Sequence, residues 1–263
     1  MHFGIPIASA LKEPLSSTLT IAMTWIKICG TTNLEDAQLA VEAGADALGF
    51  VFYEKSPRCI NPEAARNIVE QLPENIEKVG VFVDSGAPDD VVAIVNDVRL
   101  TAVQWHMPAD PAQVRSTPPE LSGNCFGRPI EVYPSFPFSW FTNGVTFSTG
   151  PEFHVEPGRS KCVPKNIPGP PMMFLDSGTS EIPGGTGKTF DWERALSLTE
   201  KLRKAYDIVI AGGLTPANVQ QAISKFHPFG VDVVSGVEAR PGKKDPEKVR
   251  AFIDAVRQAD KSA

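Results

Sequence analysis

The sequence is poor in several features that mark common classes of protein. Only four cysteines occur among its 263 residues, and no two of them form a Cys-x-x-Cys pair. Neither a zinc site nor a disulfide framework is therefore expected, and a reducing, cytoplasmic location fits this pattern. An excess of positive charge is also lacking, because the formal net charge is −6 at pH 7. Nucleic acid and anionic membranes are thus not expected as main partners.

Long hydrophobic runs are missing as well. No stretch has the roughly 20 apolar residues that span a bilayer. An apolar run, Phe3–Leu11, occurs early, but no basic segment precedes it, so a signal peptide is not expected. We interpret residues 1–22 as an N-terminal extension and residues 23–263 as one domain. Apolar residues make up 42% of the chain, which is enough for a sizeable core.

The chain does contain a repeated order of apolar segment, loop and helix. Eight apolar segments are predicted strands: Trp25–Ile28, Ala45–Phe52, Lys78–Val83, Ala102–Met107, Ile130–Tyr133, Met172–Leu175, Asp207–Ala211 and Val231–Val234. Capping residues or prolines start the predicted helices, at Asn33, Asn61-Pro62, Pro88, Asp191, Thr215-Pro216 and Asp245-Pro246. Eight such units predict an α/β fold, a single (β/α)8 TIM barrel. An open, doubly wound sheet is the alternative, but it is expected to need fewer strands.

The segment between residues 107 and 171 breaks this order. It holds 13 of the 24 prolines, a density that excludes long helices. Asn143-Gly144 lies between two runs rich in aromatic and β-branched residues, which predicts a β-hairpin. The helix expected after strand 5 is therefore predicted to be partly replaced by an insertion at about residues 134–171. We interpret this insertion as a surface elaboration, with a lid or an oligomer contact as the alternative.

Reactive side chains follow several of the predicted strands. Cys29 follows strand 1, Asp176 follows strand 6, His106 lies at the end of strand 4, and Arg58 lies in the loop after strand 2. The carboxyl ends of TIM-barrel strands share one face, and active sites lie there. Ordinary structural explanations also exist, since a lone cysteine can be a buried apolar residue and a lone histidine can be a packed one.

Glycine turns follow the last three predicted strands. Gly185 and Gly187 come after strand 6, Gly212-Gly213 after strand 7 and Ser235-Gly236 after strand 8. The backbone N–H groups of such turns can bind a phosphate, and TIM barrels often bind one after strands 7 and 8. The nearby Lys243-Lys244 pair is interpreted as a solvated surface.

Several motifs are more specific than the general pattern. They are KICG (Lys27–Gly30), GFVFYEKSPR (Gly49–Arg58), GGTGKTFDW (Gly184–Trp192), and SGVE (Ser235–Glu238) followed by PGKKD (Pro241–Asp245). In these motifs and their order the chain resembles phosphoribosylanthranilate isomerases, which are barrel enzymes of tryptophan biosynthesis. The resemblance covers nearly all of residues 24–258 except the insertion.

The resemblance implies an Amadori rearrangement of N-(5′-phosphoribosyl)anthranilate, with Asp176 as the general acid and the Cys29 thiolate as the base. It implies that Arg58 binds the anthranilate carboxylate and that His106 and Asp232 are further substrate-binding residues. Phosphate-binding roles are implied for Gly185, Gly187, Gly212, Gly213, Ser235 and Gly236. The expected partner is this small molecule alone, without metal or cofactor, bound by a monomer or a homodimer.

Two other functions stay open at this point. A phosphosugar isomerase of histidine biosynthesis is expected to use aspartates at the ends of strands 1 and 5, where this sequence has Cys29 and no acid. A catalytically silent barrel that serves as a binding or assembly subunit would not need to retain both Cys29 and Asp176. Cys59, Met107 and Val234 depart from residues common in the family, and the insertion has no counterpart in its pattern.

Overall fold

Eight parallel strands close into a barrel. The computed structural model describes residues 23–84, 88–108, 124–125, 128–139, 154–155, 160–161, 171–177 and 191–262. The barrel strands are β1 (Trp25–Cys29), β2 (Ala47–Val51), β3 (Glu77–Val83), β4 (Ala102–His106), β5 (Glu131–Pro137), β6 (Met172–Asp176), β7 (Asp207–Ile210) and β8 (Gly230–Val233). Each strand pairs with its neighbours in chain order, and β8 pairs with β1 to close the ring. The predicted (β/α)8 fold is confirmed.

The fifth strand is longer than the sequence predicts. It runs from Glu131 to Pro137, whereas its apolar pattern predicts an end at Tyr133. Pro134 pairs in register with Trp105 of β4, and Phe136 with Leu175 of β6. A proline removes one N–H donor from the ladder but does not prevent extended backbone, so the strand continues through both prolines.

Six helices lie around the described part of the barrel. They are α1 (Leu34–Ala43), α2 (Pro62–Val69), α3 (Pro88–Val98), α4 (Trp192–Leu202), α5 (Val219–Phe226) and α6 (Pro246–Ser262). The predicted caps of α1 are confirmed: the Asn33 side chain accepts from Asp36 N, and Gly44 ends the helix with φ of 102°. Asn61 and Asp191 likewise cap α2 and α4 through their side chains.

Helix α5 begins later than predicted. Thr215-Pro216 is the predicted start, but the first helical residue is Val219. The Asn218 side chain accepts a hydrogen bond from Thr215 N at 2.8 Å and donates one to Gly213 O at 3.0 Å. These two bonds hold residues 213–218 as a turn, and the helix starts only after it.

Two apolar layers form the core. The larger one lies between the strands and the surrounding helices and includes Phe50, Trp105 and Phe252. The smaller one fills the barrel interior, with Ala47, Val79, Ala102, Tyr133, Phe174, Val209 and Ala211. Because side chains alternate along a strand, residues two positions away from these interior residues also face the inside of the barrel.

The predicted insertion is described only in part. Asn143-Gly144 and the hairpin predicted around it lie outside the described residues. Residues 154–155 and 160–161 form a short antiparallel pair. The bounds of the insertion and the division into an extension and one domain remain predictions. Among the helices that the structure describes, none is both long and apolar enough to cross a membrane.

Candidate active site

The carboxyl ends of β1, β2 and β8 lie against one another. A Cβ atom placed on Gly30, directly after β1, would lie 3.2 Å from the Arg58 side chain and 3.2 Å from the Val234 side chain. The turn after β1 therefore packs between the loop after β2 and the turn after β8. Cys29, Arg58 and Ser235 are thus brought to one face of the barrel, as predicted for barrel strand ends.

The ends of β6, β7 and β8 are joined by two close backbone approaches. A Cβ atom on Gly212 would lie 2.1 Å from Ser177 Oγ, and one on Gly236 would lie 1.9 Å from Leu214 O. Neither position has room for a side chain, and Gly212 also has φ of 82°, which favours glycine. The turns after β7 and β8 are consequently packed directly on each other and on the end of β6.

Cys29 ends β1 and is buried, with 4% of its surface exposed. Burial raises the pKa of its thiol, the ammonium groups of Lys27 and Lys244 lower it, and Asp232 raises it again, so that the pKa lies above its ordinary value. A thiolate at this position therefore depends on the two lysines. The sequence predicts a reactive cysteine at the end of a strand. The structure places Cys29 there, near the positive charges of Lys27 and Lys244.

Lys27 lies two residues before Cys29 on the same face of β1 and is completely buried. Its Nζ is 3.0 Å from Asp232 Oδ1 on the adjacent strand β8 and 5.4 Å from the centre of the Phe174 ring. Burial alone would lower its pKa, but Asp232 and Cys29 outweigh burial and raise it. The buried amine is therefore charged. Strand alternation within KICG could have revealed Lys27 as a site residue.

Asp176 ends β6 and is also buried, with 4% of its surface exposed. Its backbone oxygen accepts a hydrogen bond from Phe138 N at 2.9 Å, just after β5. Ser177 Oγ is 3.5 Å from Asp176 Oδ1, which is at the outer limit of a hydrogen bond. The carboxyl group is thus placed by the β5–β6 pairing, two strands away from β8 in the ring.

Arg58, in the loop after β2, is held by Glu238. Its Nε is 3.1 and 3.2 Å from the two carboxylate oxygens, and its NH2 is 2.8 Å from Oε2. Glu238 lies after β8 and is 7% exposed. Among the described residues NH1 has no hydrogen-bond partner, so the edge formed by NH1 and NH2 can donate hydrogen bonds to a second carboxylate.

His106 and two other polar side chains line the inward faces of β4 and β5. Gln104 Nε2 is 3.1 Å from His106 Nε2, and His106 pairs in register with Ser135. Within the described part of the chain, Gln104 Oε1 and Ser135 Oγ are buried without hydrogen-bond partners. Buried polar atoms are normally paired, so a bound ligand or water could satisfy these two.

The remaining predicted residues divide into two groups. Gly212 and Gly213 follow β7, Asp232 lies on β8, and Ser235 and Gly236 form a short 3₁₀ turn after it. Gly185 and Gly187 lie outside the described residues. The interpretation of Lys244 as a solvated residue is wrong, because it is 1% exposed and its ammonium contacts Cys29 O. Its hairpin folds back onto the barrel, which the sequence motif alone does not reveal.

Comparison with known proteins decides the family. A family model described as N-(5′-phosphoribosyl)anthranilate (PRA) isomerase matches residues 26–120 and 166–255. The chain belongs to this family. The PRA isomerase of Geobacter sp. (strain M21) is 41% identical over 231 residues, which are 88% of this chain and 97% of that relative. The stretch between the two matched parts overlaps the predicted insertion.

Solved PRA isomerase structures have the same fold. The enzyme from Thermotoga maritima is 38% identical with a TM-score of 0.66, and the match covers 90% of this chain and all of that one. Another structure is described as phosphoribosylanthranilate isomerase in complex with reduced 1-(o-carboxyphenylamino)-1-deoxyribulose 5-phosphate. It is 36% identical with a TM-score of 0.63, over 90% of this chain and 100% of that one.

Proposed function

We propose that the chain catalyses the rearrangement of N-(5′-phosphoribosyl)anthranilate to 1-(2-carboxyphenylamino)-1-deoxyribulose 5-phosphate in tryptophan biosynthesis. One observation carries this function beyond family membership: a buried thiol and a buried carboxyl group end β1 and β6 of the same barrel. The reaction needs one acid and one base acting on a single sugar, and two different strand ends can supply them.

Asp176 is the general acid in this proposal. It protonates the ring oxygen of the ribose, so that the C1′–O bond breaks and the nitrogen lone pair forms a protonated Schiff base. Its burial at the end of β6 supports this role because it keeps the group that donates the proton out of bulk water. The acid must hold its proton until the substrate is bound, and a site that excludes water favours this.

Cys29 is the base. Its thiolate removes the C2′ proton, the C2′ electrons move to form the enolamine, and the iminium nitrogen is neutralised. Tautomerisation of the enolamine then gives the ketone. The buried charge of Lys27 supports this role because it lowers the free energy of the thiolate. The base requires a reduced thiol, which is consistent with the proposed cytoplasmic location.

The substrate's two anionic ends are assigned to different parts of the site. Arg58 binds the anthranilate carboxylate through its NH1 and NH2 edge, because planar bidentate pairing is the strongest contact a guanidinium makes. Backbone N–H groups of Gly212, Gly213, Ser235 and Gly236, together with Gly185 and Gly187, bind the phosphate. His106 contacts the substrate from β4, and Asp232 holds Lys27. The mechanism uses no metal or cofactor.

The alternative functions have less support. β1 ends in a thiol, and the last residues of β5 are Ser135, Phe136 and Pro137, so the two aspartates expected of the histidine-pathway isomerase are absent from these described positions. A silent assembly subunit would have no reason to keep a lysine buried beside the thiol.

Complementation tests the proposal in cells. A tryptophan auxotroph that lacks this isomerase should grow without tryptophan when it expresses the wild-type chain. The variants C29S and D176N should not restore growth, whereas C59S, at an exposed cysteine, should do so. Failure of well-expressed wild-type protein to restore growth would exclude the proposed function. Growth with C29S or D176N equal to wild type would remove these residues from the mechanism.

A further inference from the structure

The hairpin that follows β8 contains two buried charges of opposite sign. Glu238 begins one strand of this hairpin and Lys244 ends the other, and the two residues pair in register. Their exposed fractions are 7% and 1%, and Lys244 Nζ is 3.4 Å from Glu238 Oε1. Taking two charges out of water costs free energy that their mutual attraction often does not regain. A gain in stability is therefore not a sufficient explanation for the pair.

Lys244 connects two parts of the candidate site. Its Nζ donates to the backbone oxygen of Cys29 at 2.5 Å and to that of Val234 at 3.4 Å. The first carbonyl belongs to the proposed base, and the second immediately precedes the Ser235-Gly236 turn proposed for phosphate. An ammonium group has three N–H donors, and Cys29, Val234 and Glu238 supply three acceptors.

Glu238 connects the same ammonium to the third part of the site. Its carboxylate accepts hydrogen bonds from Arg58 Nε and NH2 at 2.8 to 3.2 Å, and from Gly242 N at 3.1 Å. The Nε edge of Arg58 is thereby occupied, which fixes the plane of the guanidinium. The NH1 and NH2 edge is then the only one on which a second carboxylate can be bound in two-point fashion.

We propose that Glu238 and Lys244 are positioning residues that align the carboxylate-binding arginine with the base and with the phosphate turn. The inference rests on the proposed function, since it concerns how Arg58, Cys29 and the turn after β8 are held relative to one another. An unrestrained arginine must be ordered when substrate binds, and that ordering weakens binding. A displacement of about 1 Å in such a site can cost on the order of a hundredfold in rate.

The role of Glu238 in holding Arg58 is tested by steady-state kinetics of three variants: E238Q, R58A and the double variant E238Q/R58A. E238Q keeps the size of the side chain but loses its charge, so Arg58 is held less firmly and KM should rise about tenfold, the loss of one charge-assisted contact. kcat should change much less. Because Glu238 acts through Arg58, adding E238Q to R58A should leave KM unchanged.

The test of Lys244 has a matched neighbour as its control. K244M removes the bonds to the Cys29 and Val234 carbonyls and should lower kcat about tenfold or more, because the base and the phosphate turn are released. The loss of the Lys244 charge also raises the Cys29 pKa, so kcat is compared at high pH, where that electrostatic part disappears and the positioning part remains. K243Q changes the adjacent lysine, which is one-third exposed and pairs with the exposed Glu35 and the buried Asp36, without contact to Cys29 or Val234 among the described hydrogen bonds. It should leave kcat and KM at their wild-type values.

Several outcomes would overturn the inference. If E238Q lowers only the melting temperature and leaves KM unchanged, or if its effect on KM multiplies with that of R58A, then Glu238 does not act through Arg58. Should E238Q fail to fold, E238D keeps the charge on a shorter side chain, and an unchanged KM in that variant is equally contradictory. If K244M has the same kcat and KM as K243Q, Lys244 is not a positioning residue.

Calorimetry separates this inference from the proposed function. The probe is reduced 1-(o-carboxyphenylamino)-1-deoxyribulose 5-phosphate, the compound named for a relative's complex. Weaker binding to E238Q than to wild type supports the positioning role, and equal binding contradicts it. Wild-type protein that does not convert N-(5′-phosphoribosyl)anthranilate refutes the proposed function, whatever the binding data show.

Discussion

Lys27 and Asp232 form an ion pair of 3.0 Å inside the barrel, between β1 and the neighbouring strand β8. Cys29 lies two residues beyond Lys27 and faces the same interior. Besides Lys244, the thiol is therefore next to the two charges of this pair, and these act on its pKa in opposite directions. A substitution of Lys27 and a substitution of Asp232 should therefore shift the pKa of Cys29 in opposite directions.

The first prediction concerns the Cys29 thiol in a C59S/C125S/C162S background, in which Cys29 is the one cysteine left in the sequence. K27M should raise its pKa because a stabilising charge is removed, whereas D232N should lower it because a repelling charge is removed. The rate of alkylation by iodoacetamide, measured against pH, reports both shifts. K27M also leaves Asp232 buried and unpaired, which costs about 3–5 kcal/mol, so K27M/D232N serves if K27M does not fold. If K27M and D232N shift the pKa of Cys29 in the same direction, the prediction is contradicted.

The second prediction concerns Arg58. R58A should mainly raise KM for N-(5′-phosphoribosyl)anthranilate, by on the order of a hundredfold, because a bidentate charged contact is lost. R66A is the matched control, since Arg66 pairs with Asp97 on the exposed surface. Initial rates over a range of substrate concentrations measure both. A fall in kcat with KM unchanged would mean that Arg58 does not bind the substrate's carboxylate.

A third prediction concerns stability and a carboxyl group at the opposite end of the barrel. Tyr133 Oη lies 2.5 Å from Glu77 and 2.6 Å from Glu131. Burial raises the pKa of Glu77, the Tyr133 hydroxyl opposes this, and Glu131 adds to the rise. Because the folded pKa is the higher one, the stabilisation is complete below the ordinary value of 4.5 and is lost as pH rises through the folded pKa.

Replacement of Glu77 by glutamine should remove this dependence on pH. The free energy of unfolding of E77Q relative to wild type should increase between pH 4.5 and pH 7, by about 1.4 kcal/mol for each unit by which the pKa is raised. Urea unfolding at several pH values measures it. E74Q, at an exposed glutamate in the preceding loop, should show no such trend. A constant difference between E77Q and wild type would contradict the prediction.

A fourth prediction compares two glycines. G236A places a methyl group 1.9 Å from Leu214 O, so the turn after β8 must move. Stability should fall by about 2 kcal/mol or more, and KM should rise because the phosphate turn is displaced. G44A meets nothing closer than 3.8 Å, and its left-handed φ should cost about 1–2 kcal/mol with normal KM. Equal KM values for the two variants would remove Gly236 from the phosphate site.

The sequence predicts local features of the fold well. The Asn33 and Gly44 caps and the existence of all eight strands depend on residues that are close in the chain, and the structure confirms them. The predicted end of β5 is wrong because pairing with neighbouring strands extends it, and the predicted start of α5 is wrong because a local side-chain contact intervenes. Pro134 is accommodated by pairing with β4, and Asn218 holds a turn where Thr215-Pro216 would otherwise start a helix.

The site is predictable only where a residue type reveals its own chemistry. A cysteine and an aspartate at strand ends are conspicuous in the sequence, and the structure places both at the same end of the barrel. Glu238 and Lys244 are not, because charged residues in a short loop usually face water. Their burial follows from a hairpin that folds back onto the end of β1, a contact between residues more than 200 positions apart.

We propose Asp176 as the acid and Cys29 as the base for N-(5′-phosphoribosyl)anthranilate. The most direct measurement follows the loss of anthranilate fluorescence when purified wild-type, C29S and D176N proteins are mixed with this substrate. Wild type should convert it, and each variant should have a kcat lower by on the order of a hundredfold or more, while C59S and D207N retain normal turnover. Near-normal turnover by C29S or D176N, or none by the wild type, would contradict the account.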